Sequence, residues 1–289
     1  MKYTGKILLY SGFALAAAIF FLYLLFPSKL FRDVLEERVA QINPDLMIVT
    51  ETIHPTIPPG LKLQPLVISY TDFPVLRSDY LKVTPNLFSL LSDPKVFNFK
   101  GPLGSGDFRG RGEINRKTKR PQDKLTLNLN NIPVEVFDIL ELWPQYQPSG
   151  ELSGRVNYDS LKGAGGTVDA DVHITPFRLV LNPPLMGLEA LDFSELKAQM
   201  TMTPRMLQIR RCEASGNQLE GKLTGSIVFS KPFGNSRLTM SLTVKPRPEF
   251  VAQHKNDIIG GFLASDKAQK RGILLRFSGT LDNPSYRIR

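Results

Sequence analysis

The chain has 289 residues, 42% of them hydrophobic and 22% charged, too apolar a composition for a wholly disordered protein. Only one stretch is apolar for long enough to cross a bilayer, which excludes a multispanning membrane protein. The single cysteine, Cys212, excludes an intramolecular disulfide. Net charge is +9, and the first 29 residues contribute three lysines and no acid. The mild excess that remains suits an anionic membrane surface or an acidic partner and does not argue for nucleic acid.

Residues Ile7 to Phe26 form a run of 20 without a charge. As a helix they would span about 30 Å, the thickness of a bilayer core. Lys2 and Lys6 precede the run; Lys29 and Arg32 follow it, with Asp33, Glu36 and Glu37 close behind. Acids count little in the positive-inside rule, so the asymmetry is weak and favours an internal N-terminus with the bulk of the chain outside. A cleaved signal peptide ending at Ala14-Leu15-Ala16 is one alternative, although cleavage there would leave a greasy new terminus. A buried helix of a soluble domain is the other. The expected organisation is a cytoplasmic tip and anchor over 1–27, a membrane-proximal amphipathic helix over 28–44 and a β-rich domain over 45–289.

Pro27 ends or kinks the span, and Ser28 is placed to cap a following helix. Leu30, Phe31, Val34, Leu35, Val39 and Ile42 fall on one helical face. That face packs on the domain behind it or lies in the membrane interface.

From Asp45 onward the pattern changes to short alternating runs bounded by Gly, Pro, Asn and Asp. Leu125, Leu127 and Leu129 alternate with Thr126, Asn128 and Asn130; Leu238, Met240, Leu242 and Val244 alternate with Thr239, Ser241 and Thr243. Strands of this kind bury one face and wet the other, which favours antiparallel sheet. The fold class expected is mainly β: one N-terminal transmembrane helix, then a large antiparallel, curved or sandwich-like β domain. Short helices are expected over Thr84–Asp93, capped by Thr84, over Ile132–Pro144, and over Glu249–Ser265, broken at Gly260-Gly261.

Glycines bracket an apolar residue three times, in Gly106-Asp107-Phe108-Arg109-Gly110, Gly150-Glu151-Leu152-Ser153-Gly154 and Gly221-Lys222-Leu223-Thr224-Gly225. These turns read as simple bends or bulges, or as leaving the face opposite the central residue free of side chains, so that the sheet curls tightly or admits close packing there.

No catalytic, metal or cofactor constellation emerges, and a non-enzyme without a cofactor is expected. His54, His173 and His254 are far apart, with no HExxH-type spacing. Cys212 reads as a packing group on a strand face, or, because it follows Arg210-Arg211, as a thiol whose pKa those charges lower when they face it. Asp169 and Asp171 share a strand face, a pattern that either holds calcium or is solvated. The Gly101-Gly106 segment is glycine-rich but lacks the following helix that a phosphate site needs. One basic run contains Arg109, Arg111, Arg116, Lys117, Lys119, Arg120 and Lys124. It reads as a solvated hairpin tip, or as a dock for anionic lipid heads or an acidic protein face; without interleaved aromatics it does not suit nucleic acid.

The order of the pieces resembles the GspN family of type II secretion proteins. The matching residues are a span ending in LLFP, then Pro58-Pro59-Gly60-Leu61 before a strand, VTPNLFSLLS, the GxLxG turns and a closing FSGTLDNPSYRI. The glycine-punctuated strands and the final Gly-Thr-Leu-x-x-Pro also look like the AsmA and TamB envelope proteins. The resemblance implies an inner-membrane anchor, a periplasmic domain and a part in type II secretion played through protein contacts, with no catalytic residues to transfer. The alternative is an AsmA-like module that binds or transfers lipid or lipopolysaccharide. An open, uncharged groove lined by Leu, Ile and Phe would favour that alternative; a closed core would favour the scaffold.

Overall fold

The computed structural model describes residues 10, 12–14, 17, 20–21, 23, 25–42, 46–70, 73–117, 120–138, 144–163, 165–185, 188–253 and 271–288. The chain divides into two compact units, residues 1–84 and 85–289.

In the first unit, helix α1 (Ser28–Ile42) begins at the serine expected to start it. It packs on β1 (Leu46–Thr56), and Arg32 donates from Nη1 to the carbonyl of Glu51 at 3.2 Å. Leu35 and Val39 are half-buried, whereas Leu30, Phe31 and Val34 remain exposed. Only part of the apolar stripe therefore faces the strands. β1 pairs antiparallel with β2 (Gly60–Tyr70). The other edge of β2 is shared by β3 (Phe73–Ser78) and β4 (Leu81–Pro85). Ile53, Leu63, Leu66 and Thr50 are buried here. The expected span 7–26 lies largely outside the described residues. Those within it at 10, 12–14, 17, 20–21 and 23 are helical, and the Tyr23 hydroxyl donates to the carbonyl of Thr56. Among the described residues no helix is long and apolar enough to cross a membrane.

The second unit is an antiparallel sheet of twelve strands. They are β5 (Lys95–Leu103), β6 (Gly106–Asn115), β7 (Gln122–Pro133), β8 (Tyr146–Asp159), β9 (Thr167–Leu185), β10 (Leu188–Phe193), β11 (Glu195–Thr203), β12 (Met206–Ser215), β13 (Leu219–Val228), β14 (Arg237–Pro246), β15 (Ile273–Thr280) and β16 (Pro284–Ile288). Each strand pairs with its neighbour in sequence, except that β10 folds back on β9 and leaves β9 to pair with β11. Of the two expected alternatives, the curved open sheet is realised and the sandwich-like one is not. The hydrogen-bonded path runs from β5 to β16 without closing, and the strands form one layer.

Of the three expected helices only the first lies wholly among the described residues, and it is shorter than its pattern suggests. Thr84–Asp93 yields a 3-10 turn over Leu87–Leu91, capped by Asn86 instead of Thr84. Ile132–Pro144 yields a 3-10 turn over Val134–Val136, with 139–143 outside the described residues. The third yields helix α2 (Pro248–Gln253), and its Gly260-Gly261 break lies outside the described residues.

The glycine turns need correction. Residues two apart in a strand share a face, and the register follows that rule. Phe108 pairs with Gly101 while Gly110 pairs with Phe99, so Gly106, Phe108 and Gly110 point the same way. The same holds for Leu152 and Gly154 and for Gly221, Leu223 and Gly225, while Gly150 falls at a bulge between Ser149 and Glu151. The glycines therefore lie among the apolar side chains. At Gly225 the backbone adopts φ 157°, a conformation that disfavours any side chain, and a Cβ there would lie 2.4 Å from the Thr239 carbonyl oxygen.

Candidate functional site

The unbroken antiparallel register lets one row of side chains be followed across the whole sheet. The central row reads Phe99, Gly110, Leu127, Val156, Ala170, Met200, Ile209, Gly225, Met240, Phe277 and Tyr286. It crosses eleven strands without a charge. The flanking rows, from Phe97 to Pro284 on one side and from Gly101 to Leu275 on the other, are equally uncharged. Step one residue along any strand and the chemistry inverts. That row reads Asn98, Arg111, Thr126, Asn157, Asp169, Thr201, Gln208, Ser226, Thr239, Ser278 and Ser285. At about 4.8 Å per strand, eleven strands carry the apolar face through roughly 50 Å.

A sheet with one apolar face ordinarily hides it against a second layer. Here the covering is partial. Among the described residues, α2 lays Phe250 (2% exposed) and Val251 against Leu219, Val244 and Ile273. This plugs one end of the face between β13 and β15. Elsewhere only Gly101, Phe108, Val172, Ala198 and Leu238 of the three rows are buried, and most of the rest are half-buried. Met202 is 40% exposed and Tyr286 66%. Backbone amides and carbonyls beneath the face are tied up in the strand ladders, so the surface makes almost no hydrogen-bonding demand.

The polar face is laced by ion pairs. Asp169 takes Lys162 at 2.5 Å, Arg210 at 2.6 Å and the Thr201 hydroxyl at 2.9 Å. The Lys162 ammonium holds its carboxyl below the usual aspartate range. Asp171 accepts from Gln199 Nε2 at 3.2 Å. Asp169 is thus engaged with cations of the chain, and no cluster with metal-ligand character occurs among the described residues. Glu213 joins Arg211 at 2.6 Å and Lys222 at 3.1 Å, and the Arg211 pairing depresses its carboxyl.

Of the two readings of Cys212, the packing group on a strand face is the one realised. It sits on the apolar face between Ala198 and Leu223. Burial pushes the thiol up, with Glu213 adding to the shift. Arg211 is turned to the other face, where it pairs with Glu213, and a bulge between Ile209 and Cys212 sends Arg210 to Asp169. His54 lies on β1 and His173 on the polar face of β9, while His254 lies outside the described residues.

The basic run divides. Arg109, Arg111 and Lys124 stand on the polar face of β6 and β7, with Arg109 on Asp107 at 2.8 Å and Arg111 on Glu113 at 3.0 Å. Arg116, Lys117 and Arg120 occupy the hairpin tip between those strands; Lys119 lies outside the described residues. Gly101–Gly106 forms the β5–β6 hairpin, with Gly104 at φ 60°.

Single strands reveal the alternation of Leu125–Leu129 and Leu238–Val244. They do not reveal that the rows align, because register is a property of pairs of strands. Sequence reasoning misses β5 altogether, although Phe97 and Phe99 alternate with Asn98 and Lys100. Comparison with protein-family models, with curated proteins and with solved structures returns no match.

Proposed function

We propose that the second unit is a non-catalytic lipid-holding module, with acyl chains lying on the apolar face of β5–β16. The single observation that carries this reading is the run of uncharged rows left half-open across eleven strands. Each methylene buried on such ground contributes about 0.8 kcal/mol, so ten contribute roughly 8 kcal/mol before ordering costs. A protein partner is a poorer fit. Protein interfaces of this extent form on the order of ten hydrogen bonds, and the three rows offer little beyond the hydroxyls of Tyr158 and Tyr286. An alkyl chain makes no such demand. Met200, Met202 and Met240 add side chains that adapt to an irregular guest.

In this reading residues 7–26 anchor the chain in the inner membrane and the β units stand in the periplasm. The exposure of Phe13 and Leu25, both 73%, supports an apolar environment around that segment. The secretion-pathway role implied by the resemblance to the GspN proteins is the second reading. It is favoured by the outer edge of β16, which among the described strands has no partner and is open to strand addition.

The test places a photoreactive benzoylphenylalanine at Met200 or at Thr201, on opposite faces of β11, in the full chain expressed in bacteria. Irradiation is expected to attach acyl lipid at 200 and none at 201. Protein adducts at 200 would overturn the lipid reading, as would no lipid adduct there.

A further inference from the structure

The turn between residues 85 and 95 inverts the usual partition of polar and apolar groups. Its one buried side chain is a serine: Ser89 is 8% exposed. Ser89 Oγ donates to the Asn86 carbonyl at 2.7 Å and accepts from the Val96 amide at 2.9 Å. The Asn86 amide donates to the Val96 carbonyl at 2.9 Å, and the Asn86 side chain accepts from the Phe88 amide at 3.1 Å. These bonds fasten the turn to β5 and leave its apolar residues outside. Phe88 is 92% exposed and Leu91 94%, with Leu87 and Leu90 exposed beside them. Full exposure of a phenylalanine and a leucine three residues apart on a fixed turn offers contiguous apolar surface to a partner.

Cations surround this tip. Lys95 reaches the Leu90 carbonyl at 3.4 Å, and Lys117 of the neighbouring hairpin pairs with Asp93 at 3.1 Å. Arg116 and Arg120 are exposed in that same hairpin. Asp93 and Asp123 are the acids among them, and Asp123 is already paired with Arg116 at 3.0 Å.

We infer that the Leu87–Leu91 turn is a membrane-docking tip: Phe88 and Leu91 enter the headgroup region of an anionic phospholipid bilayer while Lys95, Arg116, Lys117 and Arg120 engage its phosphates. Two considerations select a bilayer over a protein. A five-residue convex turn presents far less than the roughly 800 Å² per partner of a stable protein interface. Apolar side chains ringed by Lys and Arg are the combination that binds an anionic membrane surface, each basic residue near it contributing to the attraction. The inference does not depend on acyl chains occupying the sheet, since it uses a different segment and a different part of the lipid.

The test uses the full chain carrying Cys212→Ala and held in nanodiscs, with an environment-sensitive NBD label on Phe88→Cys or, as control, on Ser241→Cys of the polar face. Vesicles with brominated acyl chains are added, either pure phosphatidylcholine or mixed with phosphatidylglycerol; the nanodisc lipid matches. The label at 88 is expected to shift to the blue and be quenched with the anionic mixture, less with phosphatidylcholine, while the label at 241 stays unchanged. Adding Leu91→Ser is expected to raise the vesicle concentration for half-quenching about tenfold or more. No quenching at 88 on anionic bilayers, or equal quenching at 88 and 241, would overturn the docking tip. Lipid crosslinking at Met200 is a separate readout, and its success or failure has no bearing on quenching at 88.

Discussion

The ring of Phe99 occupies the space in front of Gly110: a Cβ on Gly110 would lie 2.1 Å from Phe99 Cζ and 2.7 Å from the Thr126 carbonyl oxygen. The two residues are cross-strand partners on β5 and β6. A missing side chain on one strand is thus filled by a large one on the next, which keeps the apolar row continuous.

Gly110→Ala is therefore expected to destabilise the second unit by about 1–3 kcal/mol through overpacking. Gly221→Ala is the internal comparison, because a Cβ there meets nothing nearer than Ala214 Cβ at 3.7 Å. Its effect is expected within about 0.5 kcal/mol of zero. Urea unfolding of the two variants, followed by circular dichroism, measures the difference; equal midpoints would show that Phe99 gives way freely.

The two faces of β14 should respond oppositely to charge. Met240→Asp places a carboxylate in the middle of the central row, whereas Ser241→Asp places it on the polar side. Lipid extracted from the purified full chain is expected to fall severalfold for Met240→Asp and to hold for Ser241→Asp, as quantified by mass spectrometry. Burying an unpaired carboxylate against alkyl chains is costly; leaving it in water is not.

Acid should weaken the fold through the polar face. Arg109 holds Asp107 below the ordinary range, Gln122 does the same for Asp159, Lys162 for Asp169 and Arg211 for Glu213. A depressed carboxyl stabilises the folded state fully above its unfolded pKa, and that contribution fades as pH falls through the lower folded value. Stability is therefore expected to be level from about pH 7 to 5 and to decline below about pH 4. The groups are largely solvated, so the decline should be modest and reduced by salt. Unfolding midpoints across that range at two ionic strengths are the measurement.

Cys212 offers a reporter on the guest surface. Its raised thiol pKa lowers the thiolate fraction at neutral pH, so alkylation by iodoacetamide is expected to be several times slower than for an exposed cysteine. Stripping lipid from the protein should speed the reaction, and urea should bring it to the rate of a free thiol. A rate unchanged by delipidation would mean that the guest does not cover the Ala198–Leu223 part of the face.

Much of the strand content is written in local patterns. The alternation at Leu125–Asn130 and Leu238–Val244 reports a half-wet strand because the side-chain period is two. What the chain does not show locally is the alignment of those patterns. Whether Leu127 lies beside Val156 depends on hairpin lengths and on the bulges near Ile132 and Gly150. The docking turn reads as a helix because Leu87, Leu90 and Leu91 have helical spacing. Ser89 decides otherwise, since its hydroxyl bonds to Val96, seven residues on and in the next strand. The reactivity suggested by Arg210-Arg211 fails for a related reason: Arg211, next to Cys212, lies on the opposite face of the strand, and the bulge before Cys212 turns Arg210 to that face as well.

The row from Phe99 to Tyr286 has one more consequence. Every strand presents a similar oily step, with no polar notch to mark a stopping place. A hydrocarbon tail resting there would find its neighbours interchangeable from one hairpin to the next. Such ground grips weakly at any single station and resists sliding hardly at all, so direction and selectivity would have to be imposed at the two ends of the track.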